Sequence, residues 1–515
     1  MTPPNQDAAH GSGPAAAIAL LLLACGLVCL LVWDQPAFLC QADPLLPAAL
    51  VWDLTHLPDA WSHFQMPRVP SFFPDLLLIG VPQTLTGNWR IGMMVWVFGV
   101  TAWLAALVAW IASRIARVTF AAALPPALAL IATLLAAGAI GFPWFTTPAD
   151  YAGFAEPFLV LLLPYSHGGA FLLALTAAAM ASMAGVAPAR LAGVFILSAA
   201  ATVSDLLTVT TLLVPLTAAL AGGMAAGTAS RASAGVRLAA AWGGGVCGVF
   251  LLSLLPARQA MPATSVLVAL VSVLRGIAGI ASQPIVLALL GFTGFTILRR
   301  RRSAGWRSLL GDFWTPFAVV SMAASLAIML PLYFDVWCFR YAGPLLWWPV
   351  ILLAATLAPR APRRWRPALV LPAFTIALIL AAAMRPVPRL LTWLPPQAIC
   401  LRDAGLRAGL AYYGTARPVS AGTEWRIHTD QITGNGAAYL WGNDPRWFTR
   451  DIHDPAKPPS FSFIVMDLLN PGAIAATYGK PARILPCGAS TIWVYDDPAA
   501  VDAALRRASP WLQRP

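Results

Sequence analysis

Long apolar runs alternate with short polar segments over the first 384 residues of the chain. A transmembrane helix needs about 20 consecutive, mostly apolar residues, so this pattern predicts about eleven membrane-spanning helices. The predicted spans are residues 15–33, 91–112, 119–141, 158–185, 190–204, 206–223, 236–256, 284–298, 313–333, 343–359 and 367–384. The first run shows no clear cleavage site, which favours an uncleaved helix preceded by a disordered segment at 1–14.

The pattern changes at residue 385, where the polarity becomes that of an ordinary soluble domain. Two runs, Phe461–Met466 and Thr491–Tyr495, have the β-branched and aromatic residues that are typical of strands. We therefore predict a polytopic all-α membrane bundle over residues 15–384, followed by a small mixed α/β domain over residues 385–515.

The composition agrees with a membrane protein. Hydrophobic residues make up 59% of the chain and charged residues only 10%, whereas soluble proteins average about 25% charged residues. A soluble multidomain enzyme and a disordered or fibrous protein are therefore excluded. The net charge of +12 does not indicate nucleic-acid binding, because the arginines are concentrated in short loops between apolar spans.

These arginines also predict the orientation, since short cytoplasmic loops carry an excess of Lys and Arg. With a cytoplasmic N-terminus, the arginines of five loops lie inside, at 114–117, 190, 231–237, 299–302 and 360–366. The segments predicted outside are 34–90, 142–157, 257–283, 334–342 and the tail from 385. The chain is thus predicted to lie in a bacterial inner membrane, with an extracytoplasmic C-terminal domain. Cys400 and Cys487 can form a disulfide in that domain if it is exported.

The first outer loop, residues 34–90, holds five of the eleven acidic residues that precede the C-terminal domain. A carboxylate at the membrane surface can act as a general base on a hydroxyl group. The alternative is a helix lying on the membrane, with Trp52, Trp61 and Phe64 at the level of the lipid headgroups. The candidate functional residues of the loop are Asp34, Asp43, Asp53, His56 and Asp75.

Three further polar positions lie at or between the predicted spans. Arg340, beside Tyr341 in an outer loop, suits bidentate binding of a phosphate, and the alternative is a surface ion pair with Asp335. Asp205 lies between two apolar runs, where it is either functional or a helix cap. His167 precedes two glycines, which indicates either a polar contact at a broken helix or a satisfied interior histidine.

Motifs for several other functions are absent from the sequence. There is no Walker A sequence, no G-x-S-x-G elbow, no HExxH and no dinucleotide-binding fingerprint between a strand and a helix. A nucleotide-driven pump is therefore not indicated, and the lack of a chain of buried charges disfavours a proton-coupled carrier. The spacing of His56 and His63 is no metal signature, although a divalent metal ion remains open as a cofactor.

The layout resembles the GT-C superfamily of membrane glycosyltransferases. The similarity lies in a first span, a long acidic outer loop, about eleven spans and an exported C-terminal domain. The segments Asp43…Asp53 and Phe72-Phe73-Pro74-Asp75 also look like the first loop of bacterial members. The adjacent pair of acidic residues that is familiar in the first loop of the superfamily is missing here.

The resemblance implies an inverting transferase that takes a sugar from a polyprenyl-phosphate donor. Its acceptor would be an envelope glycan, lipid or protein at the outer side of the bilayer. A first-loop carboxylate would be the base, with Asp43 ranked first, Asp53 second and Asp34 third, and Arg340 and Tyr341 would hold the donor phosphate. The alternative function is non-enzymatic, as a lipid or glycan flippase or an assembly scaffold.

Overall fold

The structure is a computed structural model, and it describes residues 40–67, 69–139, 163–255, 265–332, 336–359, 389–451, 454 and 456–513. The predicted spans 15–33 and 367–384 lie outside these residues, as do the predicted outer loop 142–157 and the candidates Asp34 and Asp335.

Two helices form most of the first outer loop. Helix α1 (Leu46–His56) has Pro47 in its first turn, where the missing N–H would have no helical partner. Helix α2 (Leu77–Thr86) follows a wide turn at Phe72–Leu76 and ends at Gly87, which has a left-handed φ of 68°.

The membrane region consists of apolar helices. They are α3 (Trp89–Ala116), α4 (Phe120–Ala139), α5 (Gly168–Ser182), α6 (Pro188–Ser204), α7 (Val214–Ala226), α8 (Arg231–Ser253), α9 (Val266–Ala281), α10 (Pro284–Gly311), α11 (Trp314–Met329) and α12 (Gly343–Leu357).

Several of these helices have the length and apolar character of membrane spans. In the described residues, four segments qualify: Trp89–Ala116, Val209–Ala226, Arg231–Ser253 and Trp314–Leu332. A fifth follows if Val266–Ala281 and Val286–Gly311, which are bent by 80°, form one broken span. The fold is therefore that of a mostly helical membrane protein, and the larger number of about eleven spans stays a prediction.

Two predicted segments differ from the structure. The span predicted at 158–185 has its described helix only from Gly168, because His167 adopts a left-handed φ of 71° that a helix does not continue through. The prediction of an outer loop at 257–283 is wrong for residues 266–281, which form α9. Its apolar run is interrupted by Arg275, so it lacks the length by which a span is detected.

Glycines allow α6 and α8 to pack closely. A side chain at Gly244 would collide with the carbonyl oxygen of Phe195, and one at Gly248 would collide with that of Ala199. The two glycines are four residues apart on one face of α8, which is the small-residue spacing that brings membrane helices together.

The C-terminal domain is a five-stranded mixed sheet covered by helices, in the strand order β2-β1-β3-β5-β4. The strands are β1 (Ala408–Tyr412), β2 (His428–Ile432), β3 (Phe463–Val465), β4 (Arg483–Cys487) and β5 (Ser490–Val494). The helices are α13 (Pro396–Asp403), α14 (Tyr413–Gly422), α15 (Pro471–Tyr478) and α16 (Pro498–Ala508). The first three strands are parallel, whereas β5 is antiparallel to both β3 and β4.

The structure confirms the predicted small α/β domain and both predicted strands, which correspond to β3 and β5. A disulfide joins Cys400 at the end of α13 to Cys487 at the end of β4. The chain between these cysteines contains most of the sheet, so the bond ties the first helix of the domain to an edge strand.

The first outer loop and the C-terminal domain are docked against each other. The indole N–H of Trp89 donates to the carbonyl oxygen of Ala421 over 2.9 Å, and the buried guanidinium of Arg90 donates to that of Gly422 over 2.9 Å. Backbone pairing between Gln65 and Asn443 extends the contact. The domain is therefore positioned over one end of the membrane helices rather than held by a linker alone.

Candidate functional site

A strained loop before α5 forms the centre of the candidate site. Tyr165 and His167 both adopt left-handed φ angles, of 62° and 71°, which are uncommon for residues other than glycine. The carboxylate of Asp75 accepts a hydrogen bond from the backbone N–H of Tyr165 over 2.6 Å. Gly169 lies so close to Asp75 that a side chain there would collide with it. Strain held by the surrounding structure is concentrated at functional sites.

The pKa of Asp75 is raised to about 7, mainly by burial and to a smaller extent by the charge of Asp205. The hydrogen bonds from the Tyr165 and Asp75 backbones act in the opposite direction, because they favour the ionised carboxylate. The Asp75 carboxylate is therefore hydrogen-bonded to the loop of residues 163–167, and its raised pKa places its change of charge near neutral pH.

His167 joins this loop to two other candidates. Its Nδ1 lies 2.6 Å from the carboxylate of Asp205, and its ring contacts that of Tyr341 edge-on at 4.9 Å. Arg340 donates from Nη2 to the Tyr341 hydroxyl over 2.9 Å. These four residues line one small cavity of about 10 Å³. The structure thus brings together four candidates from three segments that are far apart in the sequence.

Asp205 caps a turn, as one of the two alternatives predicted, and it also contacts His167. One carboxylate oxygen accepts the backbone N–H of Leu207 over 2.9 Å and caps the following turn. The other oxygen meets His167, so the histidine is a satisfied interior residue that is also part of a polar cluster.

Asp43 contacts the C-terminal domain. It accepts a hydrogen bond from the hydroxyl of Tyr413, the first residue of α14. One turn later Arg417 donates to the carbonyl oxygens of Ala42 and Gly442, both over 2.6 Å. Its guanidinium lies 5.4 Å from the centre of the Tyr413 ring. Residues 42 and 43 of the first loop are therefore held by one face of α14.

Tyr165 lies between these two groups of residues. Burial raises its pKa well above the usual value, and the charges of Asp43 and Tyr413 raise it further, whereas Arg417 and Arg340 lower it. Its hydroxyl has no hydrogen-bond partner in the part of the chain that the structure describes. Asp43 and Arg340 thus both act electrostatically on one buried hydroxyl group, which stays protonated at neutral pH.

Asp53 lies in a different place. It is 4% exposed, it accepts a hydrogen bond from the indole N–H of Trp447 over 2.9 Å, and it lines a cavity of about 40 Å³ between the first loop and the C-terminal domain. Arg340 does not line that cavity. Asp43 lines neither this cavity nor the one beside Arg340, so in these two cavities no described base candidate of the first loop meets Arg340, although the reaction that the resemblance implies would bring them to one outward cavity.

Burial raises the pKa of Asp53 well above its usual range, and the charges of Asp444 and Asp430 raise it further. The hydrogen bond from Trp447 and the charge of Arg417 lower it. The folded protein therefore retains a proton on Asp53 at pH values where the unfolded chain has lost it. The contribution of Asp53 to the free energy of unfolding therefore falls as pH rises from the normal pKa of an aspartate through the raised pKa of the folded state.

Asp53→Asn is accordingly expected to stabilise the protein at pH 8 and to flatten its pH dependence. A gain of about 1 kcal/mol would raise the unfolding midpoint by about 2–4 °C. The unfolding midpoint is measured by tryptophan fluorescence of the detergent-solubilised protein. The protein is heated at the same scan rate at each pH between 5 and 8. Asp502→Asn is the control and should leave the shape of the pH dependence unchanged, because Asp502 pairs with Arg506 on α16 and is not among the charges that shift the pKa of Asp53. Parallel curves for wild type and Asp53→Asn would contradict the assignment.

His56, the remaining first-loop candidate that the structure describes, lines neither of these cavities. His56 is exposed and stacks on Trp52 at 4.2 Å, and Trp52 stacks in turn on Trp425 of the C-terminal domain at 5.2 Å. Phe64 is 1% exposed. The prediction of a headgroup-level position is therefore wrong for Phe64, which is buried in protein, whereas Trp52 is half-buried against Trp425 and Trp61 is 41% exposed.

A metal site does not emerge from these candidates. Over the described ranges, no three His, Cys, Asp or Glu side chains are grouped so that they could hold a metal ion. Both acidic and basic side chains act on Tyr165. Such a mixture is better suited to binding an anion and a hydroxyl group than to binding a bare cation.

Sequence reasoning missed Tyr165, Tyr413 and Arg417. The four-residue spacing of Tyr413 and Arg417 on α14 is the one local signal that could have paired them. No protein-family model matches the chain, and no curated protein matches it significantly.

Proposed function

We propose that the protein is an integral membrane glycosyltransferase. It transfers a sugar from a polyprenyl-phosphate donor to a hydroxyl group of an envelope acceptor at the outer side of a bacterial inner membrane. The proposal is supported by the polar cluster of His167, Asp205, Arg340 and Tyr341 around one small cavity, and by the charges of Asp43 and Arg340, which both act on the buried hydroxyl of Tyr165.

The negative charge of Asp43 and the positive charge of Arg340 fit the two parts of such a reaction, which are proton removal from the acceptor and departure of the phosphate. The acceptor hydroxyl oxygen forms a bond to the anomeric carbon while the bond from that carbon to the phosphate oxygen breaks. Asp43 takes the hydroxyl proton as general base. The electron pair leaves with the polyprenyl phosphate, whose growing charge Arg340 and Tyr341 stabilise by hydrogen bonds. Attack from the side opposite the leaving phosphate inverts the configuration.

Two features support the outer side of the membrane as the place of reaction. The Cys400–Cys487 disulfide is the kind of bond that persists in oxidising compartments. A lipid-linked donor would also present its phosphate at the ends of the spans, where Arg340 lies between α11 and α12. Both features support the topology derived from the arginine-rich loops.

The direct test uses purified protein in lipid nanodiscs, radiolabelled polyprenyl-phosphate sugars and cell-envelope acceptors. We expect label to move from the lipid to an acceptor without added nucleotide. Absence of transfer with each donor, together with lipid-linked substrate moving between the leaflets of proteoliposomes, would favour the flippase alternative. A scaffold is favoured if neither activity is seen and if deletion of residues 385–515 removes the function in cells.

A further inference from the structure

We infer that Tyr413 is a positioning residue for Asp43, so that the C-terminal domain supplies part of the transferase site. The inference rests on the proposed function and extends it, because the layout of the sequence assigns catalysis to the membrane region and gives the domain no part in the chemistry.

The local fold points the Tyr413 side chain at the first outer loop. Tyr413 directly follows β1, a central strand of the sheet, and opens α14, so both sides of it are fixed by regular structure. Its hydroxyl donates to Asp43. A buried phenol that meets a carboxylate is oriented far more strictly than a solvated pair, since the low-dielectric surroundings strengthen the hydrogen bond.

Arg417 fixes the backbone that carries Asp43. It is 7% exposed, and it joins the carbonyl oxygen of Ala42 in the first loop to that of Gly442 in the domain. Asp43 is thereby held at its backbone by one residue of α14 and at its carboxylate by another. Such double support is what keeps a catalytic group within the small range of positions that reaction requires.

The hydrogen bond fixes the direction of the Asp43 carboxylate. A general base must meet the acceptor hydroxyl within a narrow range of distances and angles. Removal of the phenol hydroxyl therefore leaves the carboxylate free to turn away from the productive direction.

The test compares Tyr413→Phe with Tyr412→Phe, which loses the same hydroxyl from the neighbouring position. In Tyr413→Phe we expect the whole profile of kcat against pH to lie about tenfold or more below that of the wild type, because the orientation of the base is lost. The KM for the lipid donor should change by less than about twofold, since donor binding does not involve Tyr413. Tyr412→Phe should keep the wild-type profile. Unfolding midpoints of both variants, measured in the same detergent, report whether each protein is folded.

The outcomes separate this inference from the proposed function. If the wild-type protein transfers sugar and Tyr413→Phe keeps the wild-type profile of kcat against pH, Tyr413 has no positioning role, and the transferase assignment is unaffected. A uniform loss of activity at each pH together with a lowered midpoint also overturns the inference, because it indicates a structural role only. Wild-type protein that transfers no sugar overturns the proposed function and the inference with it.

Discussion

Replacement of Asp43 by asparagine should lower sugar transfer by about 10²- to 10⁴-fold, the usual contribution of a general base. The amide oxygen of asparagine still accepts the hydrogen bond from Tyr413, so the fold around the site is expected to survive. What is lost is the capacity to take the proton of the acceptor hydroxyl. Single-turnover transfer from a radiolabelled donor in nanodiscs measures the change, and donor binding should stay close to wild type.

Asp59→Asn provides the matched control for this substitution. Asp59 belongs to the same outer loop and is exposed, and its φ of 56° lies in the left-handed region that asparagine tolerates. Its variant should transfer sugar at the wild-type rate. Full activity in Asp43→Asn, with the protein folded, would move the base elsewhere, and Asp53 and then Asp34 would be the next first-loop candidates to substitute.

The parts of the fold that are local in sequence could be predicted from it. The apolar run of α3 and the β-branched run of β5 each carry their own periodicity, so both were recognisable without tertiary information. The span predicted at 158–185 was only partly recognisable, because the alternative of a broken helix at His167 was left open and the described helix begins at Gly168. In contrast, α9 was missed because a helix of 16 residues with Arg275 in it does not stand out as a span.

The candidate site was less accessible to sequence reasoning because it is assembled over long distances. The contact between Asp43 and Tyr413 joins residues 370 positions apart, and no periodicity records such a pairing. The same holds for Asp53, which could not be distinguished from Asp43 by its loop alone. Only the docked C-terminal domain separates them, since it covers Asp53 with Trp447 and leaves Asp43 half-buried beside Tyr165.

Arg340→Gln should lower kcat/KM for the lipid donor by about 10- to 100-fold, because hydrogen bonds to a charged group contribute about 1.5–3 kcal/mol. Glutamine keeps much of the length of the side chain but removes its charge. Arg340→Lys separates charge from shape, since lysine keeps the charge and loses the planar fork that matches a phosphate. We expect Arg340→Lys to retain part of the activity that Arg340→Gln loses.

Donor affinity tells whether this arginine acts on the phosphate rather than on the fold. Binding of the polyprenyl phosphate product should weaken in parallel with kcat/KM, and the weakening should exceed that for the uncharged polyprenol, which has no phosphate to contact. Arg450→Gln removes an exposed arginine from the C-terminal domain and should leave both affinities unchanged. Equal losses for the phosphate and the polyprenol would assign Arg340 to support of Tyr341 and His167 instead of to the donor, because a structural defect does not distinguish the two lipids.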